Sequence, residues 1–197
     1  MSVARLRLAL WALVGLAAIG AVLLLVQSRS PASNETVMTT IGGPFTLTGS
    51  DGQPFPSSRL NGKPAAIFFG FTHCPDVCPT TLARLVKLRR TLGKGDQAMS
   101  ILFITVDPER DGPAEVGSYT GLFNAPIIGL TGRPADIDRV KKQFGVFSAK
   151  VEQPGADYSV DHTAAVFLMD RNGKFVSTLS PEEGDAVALE KLRRISA

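Results

Sequence analysis

The sequence predicts a three-layer α/β domain that opens with a β-hairpin and follows a single N-terminal transmembrane helix. Three observations predict it. Residues 8–26 form an apolar stretch without charge; apolar runs of strand and helix period alternate between residues 65 and 144; and a hairpin signal stands at each end of that alternation.

The apolar stretch reads LALWALVGLAAIGAVLLLV. At about 1.5 Å per residue its helix matches a hydrocarbon core about 30 Å thick. Arg5 and Arg7 precede it, so residues 1–7 are expected on the cytoplasmic side and everything after residue 26 across the membrane. The stretch exceeds the roughly 7–15 residues of a signal-peptide apolar region and no clear Ala-x-Ala site follows, which favours a retained anchor. Residues 27–40 (QSRSPASNETVMTT) have no apolar period and read as a flexible spacer, leaving residues 41–197 as the domain.

Net charge is +3, but Arg5, Arg7 and Arg29 account for it: the first thirty residues hold no acidic side chain, and the remainder is balanced. A balanced body lacks the clustered Lys and Arg that displace counterions from phosphates, so nucleic acid is excluded as a partner.

Within the domain, residues 43–48 and 50–55 flank an Asp51-Gly52 turn and read as the first hairpin. After Asn61-Gly62-Lys63-Pro64, the run AAIFFGF at 65–71 is continuously apolar, as in a strand covered on both faces. Pro79 suits a first helical turn, and Leu82, Leu85, Val86 and Leu92 then recur at helical spacing while Arg84, Lys87 and Arg90 fall elsewhere. A strand at 100–106, a helix at 114–123, a strand at 127–130 and a helix at 135–144 complete a βαβαβα order. A strand at 164–169, an Asp170-Arg171-Asn172-Gly173 turn, a partner strand at 174–179 and a helix at 185–195 close the chain. This order resembles the thioredoxin fold, and fold alone does not give function.

The chemistry concentrates in FGFTHCPDVCP at 69–79, where the central strand meets its helix. Ligands of open α/β sheets bind at such carboxyl ends. With Val77 and Cys78 in the first helical turn, Cys74 and Cys78 come together near the helix N-terminus, whose positive dipole favours thiolate. Thiolate serves metal binding and thiol exchange equally. A structural disulfide is the bland alternative, but residues four apart close almost no loop and gain little chain entropy. A Cys-x-x-x-Cys spacing also has one residue more than the thioredoxin redox motif. His162 precedes the strand at 164–169, follows a loop with Pro154 and Gly155, and is placed to reach the cysteines. Two soft thiolates and an imidazole suit Cu(I), and Cu(II) with a further weak ligand, whereas structural zinc normally takes four protein ligands.

FGFTHCPDVCP, FITVDPERD at 103–111, YTGLF at 119–123, GLTG at 129–132 and YSVDHTAAVFLMD at 158–170 together resemble the Sco/SenC family of copper proteins. The resemblance runs from about residue 43 to residue 173 and includes the single-span anchor. It implies a thioredoxin-like domain that binds copper through Cys74, Cys78 and His162 and helps assemble the dinuclear copper centre of cytochrome c oxidase. The copper-centre subunit is then the expected client and an upstream periplasmic copper donor the expected source. The setting implied is a bacterial inner membrane with the domain in the periplasm. Relatives that sense redox state or copper, and a thiol–disulfide oxidoreductase that reduces the acceptor's cysteines through Cys74 and Cys78, are the alternatives.

Neighbouring residues carry weaker expectations. His73 adjoins Cys74 and is poorly set to converge on the same ion. Asp161 is read either as an acceptor orienting His162 or as a turn cap. Asp107, with Glu109, Arg110 and Asp111, is read either as tuning the site or as a solvated loop of local turns. Phe69, Phe71, Phe123 and Phe144 are expected to pack the core.

Overall fold

The computed structural model describes residues 41–152 and 157–196 in full and, of the first twenty, residues 3, 7, 11, 13–17, 19 and 20. The chain divides into two units, Met1–Thr39 and Thr40–Ala197. In the first unit every described residue is helical. The expected anchor at 8–26 lies largely, and the spacer at 27–40 wholly, outside the described residues. Among the described residues no helix is long and apolar enough to cross a membrane.

The second unit runs β1 (Thr46–Gly49), β2 (Pro54–Pro56), β3 (Ala65–Gly70), α1 (Val77–Thr91), β4 (Ser100–Thr105), α2 (Pro113–Gly121), β5 (Ile128–Thr131), α3 (Pro134–Phe144), β6 (Ser148–Val151), β7 (Ser159–His162), β8 (Val166–Met169), β9 (Phe175–Leu179) and α4 (Asp185–Ser196). Seven strands form one sheet in the order β2-β1-β5-β4-β3-β8-β9, and β6 pairs with β7 in a separate two-stranded sheet. β3 is central and buried at every position, parallel to β4 and antiparallel to β8, so its continuous apolar run has the physical cause expected of it.

Side chains alternate across the sheet, and this sets the layers. Phe68 shares one face with Phe103, which packs on Tyr119 of α2; Phe69 faces the other way, onto Phe144 of α3 and Phe167 of β8. Helices therefore cover both faces of the sheet. Prolines open α2 and α3 in the first turn, where a missing N–H costs nothing, and Gly145 ends α3 in the left-handed conformation at φ 67°. The hairpins expected at both ends are present as β1–β2 and β8–β9.

The β6–β7 sheet was not expected: the sequence suggests a loop there. Only Val160 among its eight residues is buried, so neither strand carries the apolar alternation that marks a strand. It exists by pairing Ser148 with His162 through Val151 with Ser159, and His162 is its last residue rather than a loop residue.

Candidate metal centre

Cys74 follows the C-terminal end of β3. A turn closed by the Cys74 N–H on the Phe71 carbonyl (3.3 Å) leads the chain away from the strand and into α1. The first turn of a helix leaves N–H groups without intrahelical acceptors. Asp76, at the N-cap, makes no side-chain bond to them. The Cys74 sulfur does so instead, accepting the N–H of Cys78 at 3.4 Å. The helix start thus holds both cysteines in register: Cys74 is half-buried and Cys78 fully buried, and both are free thiols. Gly70 makes room for them, since a Cβ there would meet Cys78 Sγ at 2.9 Å and Phe103 Cε2 at 2.9 Å.

His162 arrives from β7. Its Nε2 lies 3.5 Å from Cys78 Sγ, and its Nδ1 is 3.0 Å from the Thr163 carbonyl oxygen. A carbonyl only accepts, so Nδ1 carries the proton and the Nε2 lone pair faces the sulfurs. The ring stands edge-on to Phe71 (centroids 5.8 Å) and Phe68 (6.0 Å). One donor atom from each of Cys74, Cys78 and His162 lies within 4.8 Å of the other two.

Charge at this cluster is divided unevenly. The Cys74 thiol is lowered to about 4, chiefly by its hydrogen bond with Cys78, against the opposing effect of burial, with His162 and the Cys78 N–H contributing further. The same hydrogen bond pushes the Cys78 thiol far up, and burial adds to it. The pair therefore behaves as a thiolate at the half-exposed sulfur and a retained proton at the buried one. Tyr119 on α2 is pushed up as well, by burial first and then by the negative charge of the sulfurs.

Asp107 and Asp111 are buried, which removes the solvated-loop reading for those two residues, while Glu109 between them is exposed. Asp111 accepts from Thr72 N–H (2.9 Å), Thr72 Oγ1 (2.6 Å) and Thr105 Oγ1 (2.6 Å), tying the approach to Cys74 to the end of β4. Asp107 accepts from Tyr158 Oη (2.8 Å) and Arg110 Nε (2.5 Å), reaching the strand that carries His162 and not the sulfurs. Asp161 does not orient His162. Successive residues of a strand face opposite ways, so with His162 turned to the sulfurs Asp161 is exposed, and the Thr163 carbonyl takes Nδ1. His73 lies outside the cluster, with Nδ1 3.6 Å from Asp111 Oδ1 and its side chain exposed.

Phe69, Phe71 and Phe144 are buried and Phe123 partly so, as packing residues should be, but Phe71 also touches the His162 ring. Sequence reading gave Arg110 and Tyr158 no individual part. The signals were DPER at 107–110 for the one and the start of YSVDHT at 158–163 for the other, and neither fixes a partner across about fifty residues of chain.

Comparisons with known proteins agree with the fold. A solved structure of Bradyrhizobium japonicum ScoI with copper bound superposes with a TM-score of 0.71 at 44% identity, over 79% of this chain and 99% of that one. A SCO2-like protein of Rickettsia conorii is 35% identical over 184 residues, 89% of this chain and 90% of its own. Mitochondrial protein SCO2 of Saccharomyces cerevisiae is 36% identical over 174 residues, and there the chain spans 58% of the relative's length. The SCO1/SenC family model matches residues 33–197, a span that includes both cysteines, the histidine and the buried carboxylates Asp107 and Asp111, and the chain belongs to that family.

Proposed function

We propose that this protein is a copper metallochaperone that takes one copper ion on Cys74, Cys78 and His162 and delivers it to the dinuclear copper centre of cytochrome c oxidase. The observation that carries the reading is the convergence of two sulfurs and an imidazole Nε2 within 4.8 Å. That donor set fits the metal: soft thiolates and imidazole favour copper, and the Nε2 lone pair is free because Nδ1 is spent on a carbonyl. The copper-bound ScoI relative supports the cargo, and membership of the family supports the oxidase copper subunit as client. On this reading residues 8–26 anchor the chain in a bacterial inner membrane, residues 27–40 are the spacer, and residues 41–197 work in the periplasm, receiving copper from an upstream donor.

The chain's own residues account for capture and release. Cys74 meets the incoming ion as a thiolate. Cys78 gives up its proton when the ion neutralises the pair, and His162 closes the set from a separate strand. Transfer follows by exchange of these donors for the client's, and the only other bond of the protein that changes is the Cys78 S–H, lost to solvent on capture and regained on release.

A second reading draws on the low-lying Cys74 thiol and its neighbour four residues on: a thiol–disulfide oxidoreductase that reduces the client's cysteines before they take metal. In that scheme the Cys74 thiolate attacks one sulfur of a client disulfide and releases the other as a thiolate, Cys78 passes its proton to that thiolate and displaces the remaining client sulfur, and the client leaves two electrons reduced with Cys74 and Cys78 joined as a disulfide; His162 has no obligatory part.

Titrating the reduced protein with Cu(I) and Cu(II), beside Cys74→Ala, Cys78→Ala and His162→Ala, tests the proposal. One copper per chain, a thiolate-to-Cu(II) absorption and weaker binding in all three variants are expected. Binding indifferent to His162, with intact disulfide exchange, would transfer the case to the oxidoreductase.

A further inference from the structure

The three donors do not share one support. Both cysteines belong to the β3–α1 junction, inside the main sheet's packing. His162 ends a two-stranded sheet that hydrogen-bonds to no strand of the main one and buries only Val160. Something else has to hold that strand in place, and one side chain reaches all the parts concerned.

Arg110 leaves the loop after β4 and is itself largely buried. Its Nε donates to Asp107 Oδ2 at 2.5 Å, which fixes the guanidinium to the main-sheet side. Its Nη1 donates to the Tyr158 carbonyl at 2.8 Å and to Asp157 Oδ2 at 3.0 Å, the two residues that lead into β7. The guanidinium lies 3.7 Å from the Tyr158 ring centroid and 6.0 Å from that of Phe71. Tyr158 Oη returns to Asp107 Oδ1 at 2.8 Å, closing the ring of contacts. Phe71 is also in edge contact with the imidazole of His162, centroids 5.8 Å apart. The planar fork of arginine bonds two acceptors and stacks on a ring at once, which lysine's single ammonium does not.

We propose that Arg110 is a positioning residue for His162: by clamping Tyr158 to Asp107 and backing Phe71, it holds the β7 strand where the imidazole meets the two sulfurs. The inference rests on the copper reading for its consequence, but its cause is a property of the metal-free protein. Loss of the clamp frees the imidazole and leaves both thiols in place.

The test uses the full chain with Arg110→Gln, Arg110→Lys and Tyr158→Phe, beside the parent and His162→Ala. In the reduced, metal-free protein, deuterium uptake over residues 157–163 should rise about 10-fold in R110Q while uptake over β3 stays at the parental rate, because local opening is measured separately from global unfolding. With copper, R110Q should retain the ion about 10-fold less well, within the range that losing a ligand's support causes. Its Cu(II) absorption and EPR should move toward those of His162→Ala, with two titratable thiols per chain unchanged. R110K should lie between R110Q and the parent. Tyr158→Phe, which loses only the Oη bond, should show the smallest change. Parental uptake over 157–163, or faster uptake with a parental copper spectrum, overturns the proposal. Should R110Q unfold, R110K carries the same comparison, and parental behaviour there overturns it equally. A parent chain that takes up no copper sinks the chaperone reading instead, and the exchange measurement still judges Arg110.

Discussion

The cysteine junction and the histidine strand differ in how firmly the fold holds them. Cys78 is fully buried on α1, its N–H bonded to the Cys74 sulfur, against a sheet position where only glycine fits. His162 sits on a strand with one buried residue, held by a polar clamp and by Thr163, whose N–H and Oγ1 both bond the Phe147 backbone. A site whose donors come from supports of unequal strength can lose one donor without dismantling the others. That asymmetry fits the chaperone reading, in which the metal has to be given away.

The largest expected effect tests the firm side. Cys78→Ala or Cys74→Ala should weaken copper retention by more than about 100-fold, beyond the loss that removing a ligand's outer partner causes, whereas His162→Ala should weaken it less. Competition with a Cu(I) chelator measures both, and equal losses would erase the distinction between the two regions.

Stability should separate them next. Gly70→Ala forces a Cβ to within 2.9 Å of Cys78 Sγ and Phe103, and overpacking of this kind costs about 1–3 kcal/mol. Asp111→Ala leaves the Thr72 N–H and the Thr72 and Thr105 hydroxyls without their acceptor, for about 2 kcal/mol by the cost of unsatisfied buried donors. Urea unfolding should register both, while Tyr158→Phe on the histidine side should shift the midpoint far less.

Legibility followed the same division. The junction was readable because its signals are local: a continuous apolar run gives a buried strand, Pro79 marks a helix start, and a four-residue spacing brings two sulfurs together. The paired faces of Phe68 and Phe69 follow from alternation alone. The histidine strand was not readable, since Ser148–Val151 and Ser159–His162 offer only Ala149, Val151 and Val160 as apolar residues between them, and their pairing is set by contacts far apart in the chain. The same distance hid the Asp107–Arg110–Tyr158 clamp. Of the two readings of Asp161, the orienting one rested on adjacency in sequence, which a strand does not convert into adjacency in space.

Acid titration sharpens the comparison from the sulfur side. Cys74 is lowered to about 4, so it stays ionised from neutral pH down to about 5 and gains its proton as pH falls through about 4. The rate of its alkylation by iodoacetamide, which needs the thiolate, should hold nearly level over that range, where an ordinary thiol of pKa about 8.5 would lose roughly tenfold per pH unit. Because the Cys78 hydrogen bond is the leading cause and His162 a lesser one, Cys78→Ala should move the inflection upward further than His162→Ala. The reverse order would mean that the histidine strand, not the helix start, sets the charge of the site.

The smallest effect is expected at Asp161, and its smallness is informative. The carboxylate is exposed, on the face of β7 opposite the imidazole, and the proton of Nδ1 is already held by the Thr163 carbonyl. Asp161→Asn keeps the shape and removes the charge, so copper retention should change by less than about twofold, as for a surface substitution worth at most about 0.5 kcal/mol. A loss of tenfold or more would mean that the strand turns in solution to bring Asp161 onto His162, and the histidine side would then be held by its own neighbour rather than by Arg110.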